Sequence, residues 1–466
     1  MKKILFTNAI CFLFFMRILN AQVVDTTNNF NVNDNTPNIE TYDLNGCLKF
    51  ALQNSEALRK AKYNILSAKA DVGERLSIGL PQISAGATFT DNVDIRKTIL
   101  PPFSPPFNPG SQRAVLAFGA KYNGDANIGI SQLIFDFSYL LGVQAARMYA
   151  NLTEKQVDLT KIDIVANVTK AYYGVLVNEE RLNLLDLNLI RLDTLLSNTN
   201  ALYKSGLVEK IDVMRLEVSR NNFKTEREKL VNLQALSKAI LKYQMGMKMN
   251  DSLTLKGNLR EITMSLSEVN QQTNFDYKLR TEYEILKTTK DLQQMNLRYT
   301  RSLYLPSLRA NAAFGYNTGT TTAGDYFKFK QNWVSYGVYN INLNIPIFDG
   351  RRKKFAMDKI RIEMIKAEDD IKFFARTAEF QAEQSKISII TALKDLEIQS
   401  KNMELAQEIE RVAKVKYQNG TGASLEIINA QASFKEAENN YYVAMYNAVI
   451  AKVDLDKATG KLKATE

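Results

Sequence analysis

The chain contains no histidine, and this absence removes several classes of enzyme. Its 466 residues include two cysteines, Cys11 and Cys47. Without an imidazole there is no Ser-His-Asp or Cys-His nucleophile, and zinc and copper sites lose their commonest ligand. The sequence also lacks a paired-carboxylate signature and a glycine-rich phosphate loop. We therefore expect a protein that is not an enzyme and has no cofactor and no metal site, with Cys47 as an inert thiol in a helix.

Clustered positive charge is missing as well. The 60 lysines and arginines exceed the 50 acidic residues by only ten, and they are spread through segments of mixed charge without a basic run. Nucleic-acid binding requires a concentrated basic patch or stripe. The sequence therefore predicts no nucleic-acid partner.

A long apolar span is absent, but the N-terminus carries a shorter one. Two lysines precede an apolar run at 4–19, which leads to a small-residue cleavage site at Ala21. The run is too short and too interrupted by polar residues to cross a bilayer as a helix. This pattern predicts a secretory signal peptide at 1–21. We expect the next segment, 22–40, to be disordered.

Proline is scarce, and its placement indicates where long helices can form. None of the nine prolines lies between Pro109 and Pro306, and none follows Pro346. Since proline breaks helix interiors, these tracts predict two long helices, at about 141–203 and about 351–417. About sixty residues at 1.5 Å each give a rod of roughly 90 Å. Leucines with the 3-4-3-4 spacing of a coiled coil mark the first rod: Leu182, Leu185, Leu189, Leu192 and Leu196.

Each rod ends in a similar turn. Gly206 and Gly420 provide the left-handed conformation that closes a helix, and another helix follows, with Asp212 or Glu426 in its early turns. Both segments therefore predict helical hairpins.

The chain is an internal repeat. Tyr203, Gly206 and Gly246 recur 214 residues later, as Tyr417, Gly420 and Gly460. A Phe-Asp pair at 135–136 recurs after 213 residues, and a Leu-Pro pair at 80–81 recurs after 225. The first copy is thus longer by twelve residues between these two landmarks, and the proline-rich stretch 99–112 accounts for the surplus as a loop tip.

Two repeats therefore divide the chain. The first, 41–246, comprises a helix, a β-hairpin at 82–135 and a helical hairpin at 138–246. The second, 273–460, comprises a helix, a β-hairpin at 307–347 and a helical hairpin at 351–460. The linker 247–272 joins them, and a tail, 461–466, follows.

Four strands are predicted, at 83–95, 122–135, 308–318 and 333–347, and each alternates apolar with polar residues. In the last strand Ile341, Leu343 and Ile345 oppose a row of amides, Asn340, Asn342 and Asn344. Asn311 lies on the polar face of the third strand. Strands of about ten residues with one apolar face are typical of an outer-membrane barrel with a water-filled lumen. Four strands cannot close a barrel, whereas three chains would supply twelve.

The order of these motifs resembles the TolC-type outer membrane efflux proteins. The resemblance rests on the duplicated unit, its Leu-Pro entry, its Phe-Asp exit and the Tyr-x-x-Gly turn, and it covers about 42–460. It implies an α+β membrane protein: a homotrimer whose 12-strand β-barrel, four strands per chain, is continued by a long α-helical coiled-coil barrel through the periplasm. An equatorial region would hold 247–272 and the chain ends. The function implied is a passive exit duct in tripartite efflux or type I secretion.

The family also implies two kinds of site. The helical tips would dock a periplasmic adaptor, which works with an inner-membrane pump of the RND or ABC type. Those tip residues are Gly206, Leu207, Val208, Gly420 and Thr421. Acidic side chains would narrow the pore before the second tip, at Glu404 and Glu408, although Arg411 departs from an acidic constriction.

Two other interpretations remain at this stage. A secreted coiled-coil scaffold or adhesin would share the signal peptide and the heptads. Met245, Met247 and Met249 could suggest a thioether copper site, but a spacing of two does not place them on one helical face, so we expect them to pack in the core.

Overall fold

The structure, a computed structural model, describes residues 41–100, 114–257, 275–419 and 421–462. The predicted signal peptide, the segment 22–40, most of the proline-rich stretch and Gly420 lie outside these residues. Its elements are β1 (Thr41–Tyr42), α1 (Leu44–Asn54), α2 (Glu56–Ser77), β2 (Gln82–Asp91), β3 (Lys97–Leu100), β4 (Ala114–Ala117), β5 (Tyr122–Phe135), α3 (Phe137–Lys204), α4 (Lys210–Met245), β6 (Thr254–Leu255), α5 (Thr281–Ser302), β7 (Ser307–Thr320), α6 (Phe329–Asn332), β8 (Val334–Asn344), α7 (Arg352–Gln418) and α8 (Ser424–Ala458).

Helix lengths match between the two halves of the chain. The helices before the strands, α2 and α5, each have 22 residues. The rods α3 and α7 have 68 and 67 residues, and the helices after the tips, α4 and α8, have 36 and 35. Each long helix follows the Phe-Asp landmark, for which the structure gives a reason. Asp136 Oδ1 accepts from the backbone N–H of Ser138 at 2.8 Å, and Asp349 Oδ2 accepts from that of Lys353 at 3.1 Å. These carboxylates accept hydrogen bonds from backbone N–H groups in the first turn of the helix, which have no partner within the helix itself.

Four antiparallel strands form one sheet in the order β2-β5-β7-β8. Two predicted strand ends are wrong. The last strand was expected to reach 347 but ends at Asn344, because Pro346 has no N–H to pair and Ile347 is 93 % exposed beyond it. The first was expected to reach 95 but ends at Asp91, after which Asn92 bonds to the carbonyls of Ala120 and Lys121.

The proline-rich stretch also begins differently from the prediction. Ile99 is not in a loop but in β3, where it pairs with Val115 of β4. The hairpin predicted at 82–135 therefore contains a second two-stranded ribbon between its main strands. The rest of the predicted loop, from residue 101, lies outside the described residues.

The helices form one layer whose two edges differ. Nearer the sheet, α3 packs between α2 and α5, and α5 packs against α7. Towards the tips, α3 packs against α4 and α8, and α8 packs against α7. One edge is thus made by α2 and α4 and the other by α7. Large apolar side chains remain exposed along both edges, among them Met214 and Val218 of α4 and Phe373 and Phe380 of α7.

Three apolar clusters among the described residues hold this layer, and the smallest joins Ile389 of α7 to Leu455 of α8. The predicted heptad is confirmed, since Leu185, Leu189 and Leu192 are buried in one cluster with Leu216 and Ile427. A second cluster lies where α1 meets α3 and α4, and it contains Cys47, Met245 and Met247. Burial raises the pKa of the Cys47 thiol to about 12. Met245 and Met247 pack in this cluster, as expected, whereas the expectation is wrong for Met249, whose side chain is exposed beyond the end of α4. None of the helices in the described ranges is both long enough and apolar enough to span a bilayer.

Gly246 and Gly206 offer a matched test of the helix ends. Both have left-handed backbones, with φ of +72° and +75°. A Cβ at Gly246 would lie 2.9 Å from the carbonyl oxygen of Asn54, whereas a Cβ at Gly206 would meet nothing within 4 Å. We expect Gly206→Ala to cost about 1–2 kcal/mol of strain, and Gly246→Ala clearly more. Thermal unfolding of the two variants in detergent measures the difference; equal losses would contradict the clash.

Candidate channel surfaces and helical tips

The sheet has one mostly polar face and one apolar face. Directly opposed residues on paired strands point to the same side, so the register assigns each residue. Asn311 lies opposite Asn340, and its Nδ2 donates to Asn340 Oδ1 at 2.9 Å. The same face carries these residues: Ser84, Gly86 and Thr88; Asp125, Asn127, Gly129 and Ser131; Arg309, Gly315 and Asn317; Asn342 and Asn344. The four predicted lumen asparagines therefore lie together on one surface.

The opposite face is mostly apolar. It presents Ile83, Ala85, Ala87 and Phe89; Ala126, Ile128 and Ile130; Leu308, Ala310, Ala312, Phe314 and Tyr316; Tyr339, Ile341 and Leu343. Side chains of the edge strands are exposed in the single chain: Tyr339 and Ile341 keep 76 % and 74 % of their surface. Such a two-faced sheet can separate lipid from water.

The polar face also carries charge: Arg309, which strand alternation predicts there beside Asn311, and Asp125. Asp125 accepts from the side chain of Asn127 and, through Oδ2, from Tyr336 Oη at 2.8 Å. Arg309 lies opposite Asn342, closer to the helices. Asp125 lies two residues before Asn127, and Arg309 lies two residues before Asn311. Strand alternation therefore puts each charged side chain on the same face as the asparagine that follows it. The face is therefore not purely amide.

The two helical tips close with the same hydrogen bonds. At the first tip, the N–H of Leu207 donates to Leu202 O at 2.9 Å, next to Gly206. At the second, the N–H of Thr421 donates to Lys416 O at 3.0 Å. Each bond spans five residues, the pattern by which a left-handed residue ends a helix. Leu207 is 72 % exposed, Val208 is half-buried, and Thr421 is exposed. Gly420 lies outside the described residues.

Near the tips, a groove of about 880 Å³ runs between α4 and α8. Exposed apolar side chains from both helices line it, including Ile211 and Met214 of α4 and Leu425 of α8. The groove is amphipathic, because Arg215, Lys435 and Glu436 also line it. It is continuous with the exposed tips and offers a surface for another helix.

The constriction candidates lie on the exposed side of α7. Arg411 holds Glu408 through two parallel bonds, of 2.8 Å and 2.6 Å. This guanidinium lowers the pKa of Glu408, whose carboxylate raises the pKa of Arg411 in turn. Glu404 is exposed one turn earlier. The three residues therefore share one segment, but Glu408 and Arg411 neutralise each other, which leaves Glu404 to set the local charge.

A buried polar seam joins the two hairpins, and sequence reasoning missed it. Glu438 of α8 is only 8 % exposed and accepts from Asn188 Nδ2 of α3 at 3.3 Å. Two turns earlier on α3, Arg181 donates to Asn439, the residue that follows Glu438. Burial is the main cause that raises the pKa of Glu438, to about 7. The sequence contained a signal for this burial, because Ile427, Phe434 and Glu438 follow one another at helical spacings of seven and four residues, and all three are buried on the same face of α8.

Comparison with known proteins identifies the family. The sequence model described as "Outer membrane efflux protein" matches residues 47–240 and 289–461. The chain belongs to the outer membrane efflux protein family. Outer membrane protein TolC of Vibrio cholerae serotype O1 is 19 % identical over 349 residues, which are 72 % of this chain and 76 % of that protein.

Solved structures of efflux channels share the fold. The MtrE outer membrane channel of Neisseria gonorrhoeae, in its open state, has a TM-score of 0.66 at 18 % identity and covers 90 % of each chain. The CmeC outer membrane channel of Campylobacter jejuni has a TM-score of 0.66 at 16 % identity, over 91 % of this chain and 87 % of that one. The efflux protein is thus a TolC-type channel of the outer membrane that extends into the periplasm. This finding favours the channel over the secreted scaffold.

Proposed function

We propose that three copies of this efflux protein close into a ring that forms one exit duct. The observation that carries the proposal is the two-faced sheet with two open edges, β2 and β8. Unpaired strand edges are not tolerated in lipid, so the sheet requires partners. Because the edges differ, each pairs with the opposite edge of a neighbour, and such head-to-tail contacts close into rings. Three copies give twelve strands, an even number in the range of outer-membrane barrels.

The helical layer supports the same closure. Its α7 edge would meet the α2 and α4 edge of the next copy, and this contact would bury the apolar side chains now exposed on both. In this arrangement the two halves of the chain, whose helices have matching lengths, would be two copies of one duplicated unit placed side by side in the ring. Each ring would then have six pseudo-equivalent helical hairpins around one channel.

The duct would be passive and would take its substrates from partners. Amides are common on the polar face that would line the lumen, and they hydrogen-bond water without trapping ions as a purely charged lining would; Asp125 and Arg309 are the charged members of this face. The exposed Leu207 and the half-buried Val208, with the second tip at 420–421, would dock a periplasmic adaptor. The adaptor would link the duct to an inner-membrane pump of the RND or ABC type, in tripartite efflux or type I secretion. The tips would be closed by coiled-coil packing until docking untwists the inner hairpins.

The mass of the protein from urea-washed outer membranes tests the ring. Native mass spectrometry after detergent extraction should give a trimer, and the same preparation should conduct ions in planar bilayers. Deleting the gene should raise drug susceptibility or reduce protein export. A monomer that does not conduct, together with an unchanged phenotype, would overturn the proposal.

The charges on α7 give a sharper prediction about the pore. If Glu404, Glu408 and Arg411 line the constriction, Glu408→Gln frees the charge of Arg411, and the reversal potential in a salt gradient moves towards anion selectivity. Arg411→Gln frees Glu408 and moves it towards cation selectivity. Bilayer recordings of both variants measure the two opposite shifts. Arg361→Gln, which frees Asp358 from an equivalent exposed pair fifty residues earlier on the same helix, is the control; shifts of one sign, or none, would place the constriction elsewhere.

A further inference from the structure

The connection between β7 and β8 folds back over the sheet. We call residues 321–333 the strap; it contains a short 3-10 helix, Ala323–Phe327, and α6. Tyr326 Oη donates to Thr90 O of β2 at 2.8 Å and to Asn123 O of β5 at 3.2 Å. Trp333 Nε1 donates to Tyr326 O at 2.8 Å. The strap therefore reaches from β7 across β5 to β2, at the end of the sheet away from the helices.

The strap covers the apolar face and not the polar one. Phe89, Gly124 and Thr318 are aligned in register on the face that carries Ile128. The Trp333 ring lies so close to Gly124 that a Cβ there would be 3.0 Å from Cη2. Phe89 meets Tyr326 edge to face, with ring centroids 5.3 Å apart. Thr318 is only 6 % exposed beneath this cover. The strap is thus fixed on the side that the proposed barrel turns towards lipid.

Two aromatic side chains of the strap are largely exposed, although one of them, Phe329, also stacks on Trp333 with ring centroids 5.4 Å apart. Phe327 and Phe329 are 77 % and 61 % exposed, and they alternate with Lys328 and Lys330. Lys328 pairs with Asp325 at 2.8 Å, whereas Lys330 is exposed and makes no ion pair within the part of the chain that the structure describes. At the same end of the sheet, Lys121 Nζ lies 5.0 Å from the Tyr122 ring centroid. Exposed rings and cations therefore share one rim.

This combination fits the boundary between lipid tails and headgroups. Aromatic rings are enriched at that depth, and lysines there extend their charge towards the headgroups. Since Lys328 already neutralises Asp325, Lys330 gives the strap a net positive charge. We propose that the strap binds phosphate-bearing lipid headgroups of the outer leaflet, with Phe327 and Phe329 among the acyl chains and Lys330 on the phosphate. This inference rests on the proposed function, because it needs the apolar face to meet lipid.

Native mass spectrometry of the full-length, delipidated protein in detergent tests the inference. The protein is titrated with phosphatidylglycerol or with zwitterionic phosphatidylcholine. The wild type should prefer phosphatidylglycerol, and Lys330→Gln, which leaves the Lys328–Asp325 pair intact, should reduce that preference about fivefold, since a lysine near a charged surface contributes about that much. Phe327→Ser/Phe329→Ser should weaken the binding of both lipids. Lys224→Gln/Lys229→Gln, which removes two exposed lysines of α4, should retain the preference.

Three outcomes would overturn the inference. They are a wild type without preference, an equal loss in the α4 control, and displacement of phosphatidylglycerol by excess inorganic phosphate, which would indicate a site for the free anion. The same spectra report the oligomer. A trimer without lipid preference contradicts the lipid site alone, whereas a monomer contradicts the proposed ring on which it rests.

Discussion

Ile128→Lys is expected to prevent stable insertion of the efflux protein into the outer membrane. Ile128 is central in β5, between Ala85 of β2 and Phe314 of β7, on the apolar face. A lysine on the lipid face near the bilayer midplane costs about 2–4 kcal/mol, and a ring of three copies would incur that cost three times. We expect little variant protein in urea-washed outer membranes, measured by quantitative immunoblotting.

Asn127→Lys is the matched control, one residue away on the opposite face. A lysine there would enter the polar surface close to Asp125, to which Asn127 already donates. The control should insert normally and make the channel less selective for cations. Loss of only the control would show that the two faces have been assigned the wrong way round, and equal insertion of both variants would show that Ile128 does not face lipid.

Glu438→Gln is expected to stabilise the protein at neutral and alkaline pH. Burial raises the pKa of this carboxyl from 4.5 to about 7. The folded state therefore holds the proton more tightly than the unfolded state, and the free energy of unfolding falls as pH rises from 4.5 to 7. Above that window the ionised carboxylate costs about 3 kcal/mol, at about 1.4 kcal/mol per pKa unit. The amide has no proton to lose, so it avoids this cost.

Thermal unfolding of wild type and variant across pH measures the effect. The variant should unfold at a higher temperature at about pH 8, and the difference should disappear below about pH 4.5, where the wild type is protonated in both states. Glu436→Gln, an exposed position two residues earlier, should follow the wild type. A constant difference at all pH values would mean that packing, and not ionisation, distinguishes the two proteins.

The sequence predicted those parts of the fold that depend on local periodicity. Leu185, Leu189 and Leu192 lie in a core because their spacing matches the helix, and the strand faces follow from alternation. The end of β8 was placed wrongly because the alternation continues through Ile345 and Ile347, although Pro346 cannot pair. Gly206 correctly predicted the end of α3, since a left-handed residue there is a local requirement.

Features that depend on distant contacts could not be predicted in this way. The strap lies over the sheet because Tyr326 reaches Thr90, a residue 236 positions earlier, and no local pattern encodes that contact. The seam at Glu438 pairs with Asn188 across 250 positions. Glu408 and Arg411, by contrast, are three residues apart on one helix, so their ion pair was open to prediction from spacing.

The burial of Cys47 has a practical consequence for experiments on this channel. Once the predicted signal peptide is cut after Ala21, Cys47 is the only thiol of the chain. It has no exposed surface, and its raised pKa keeps it protonated at neutral pH. Maleimides and methanethiosulfonates react with accessible thiolates, so they will not label Cys47. The natural protein therefore gives no background labelling by these reagents. Single cysteines introduced along the sheet or at the tips can be labelled one at a time without first removing Cys47.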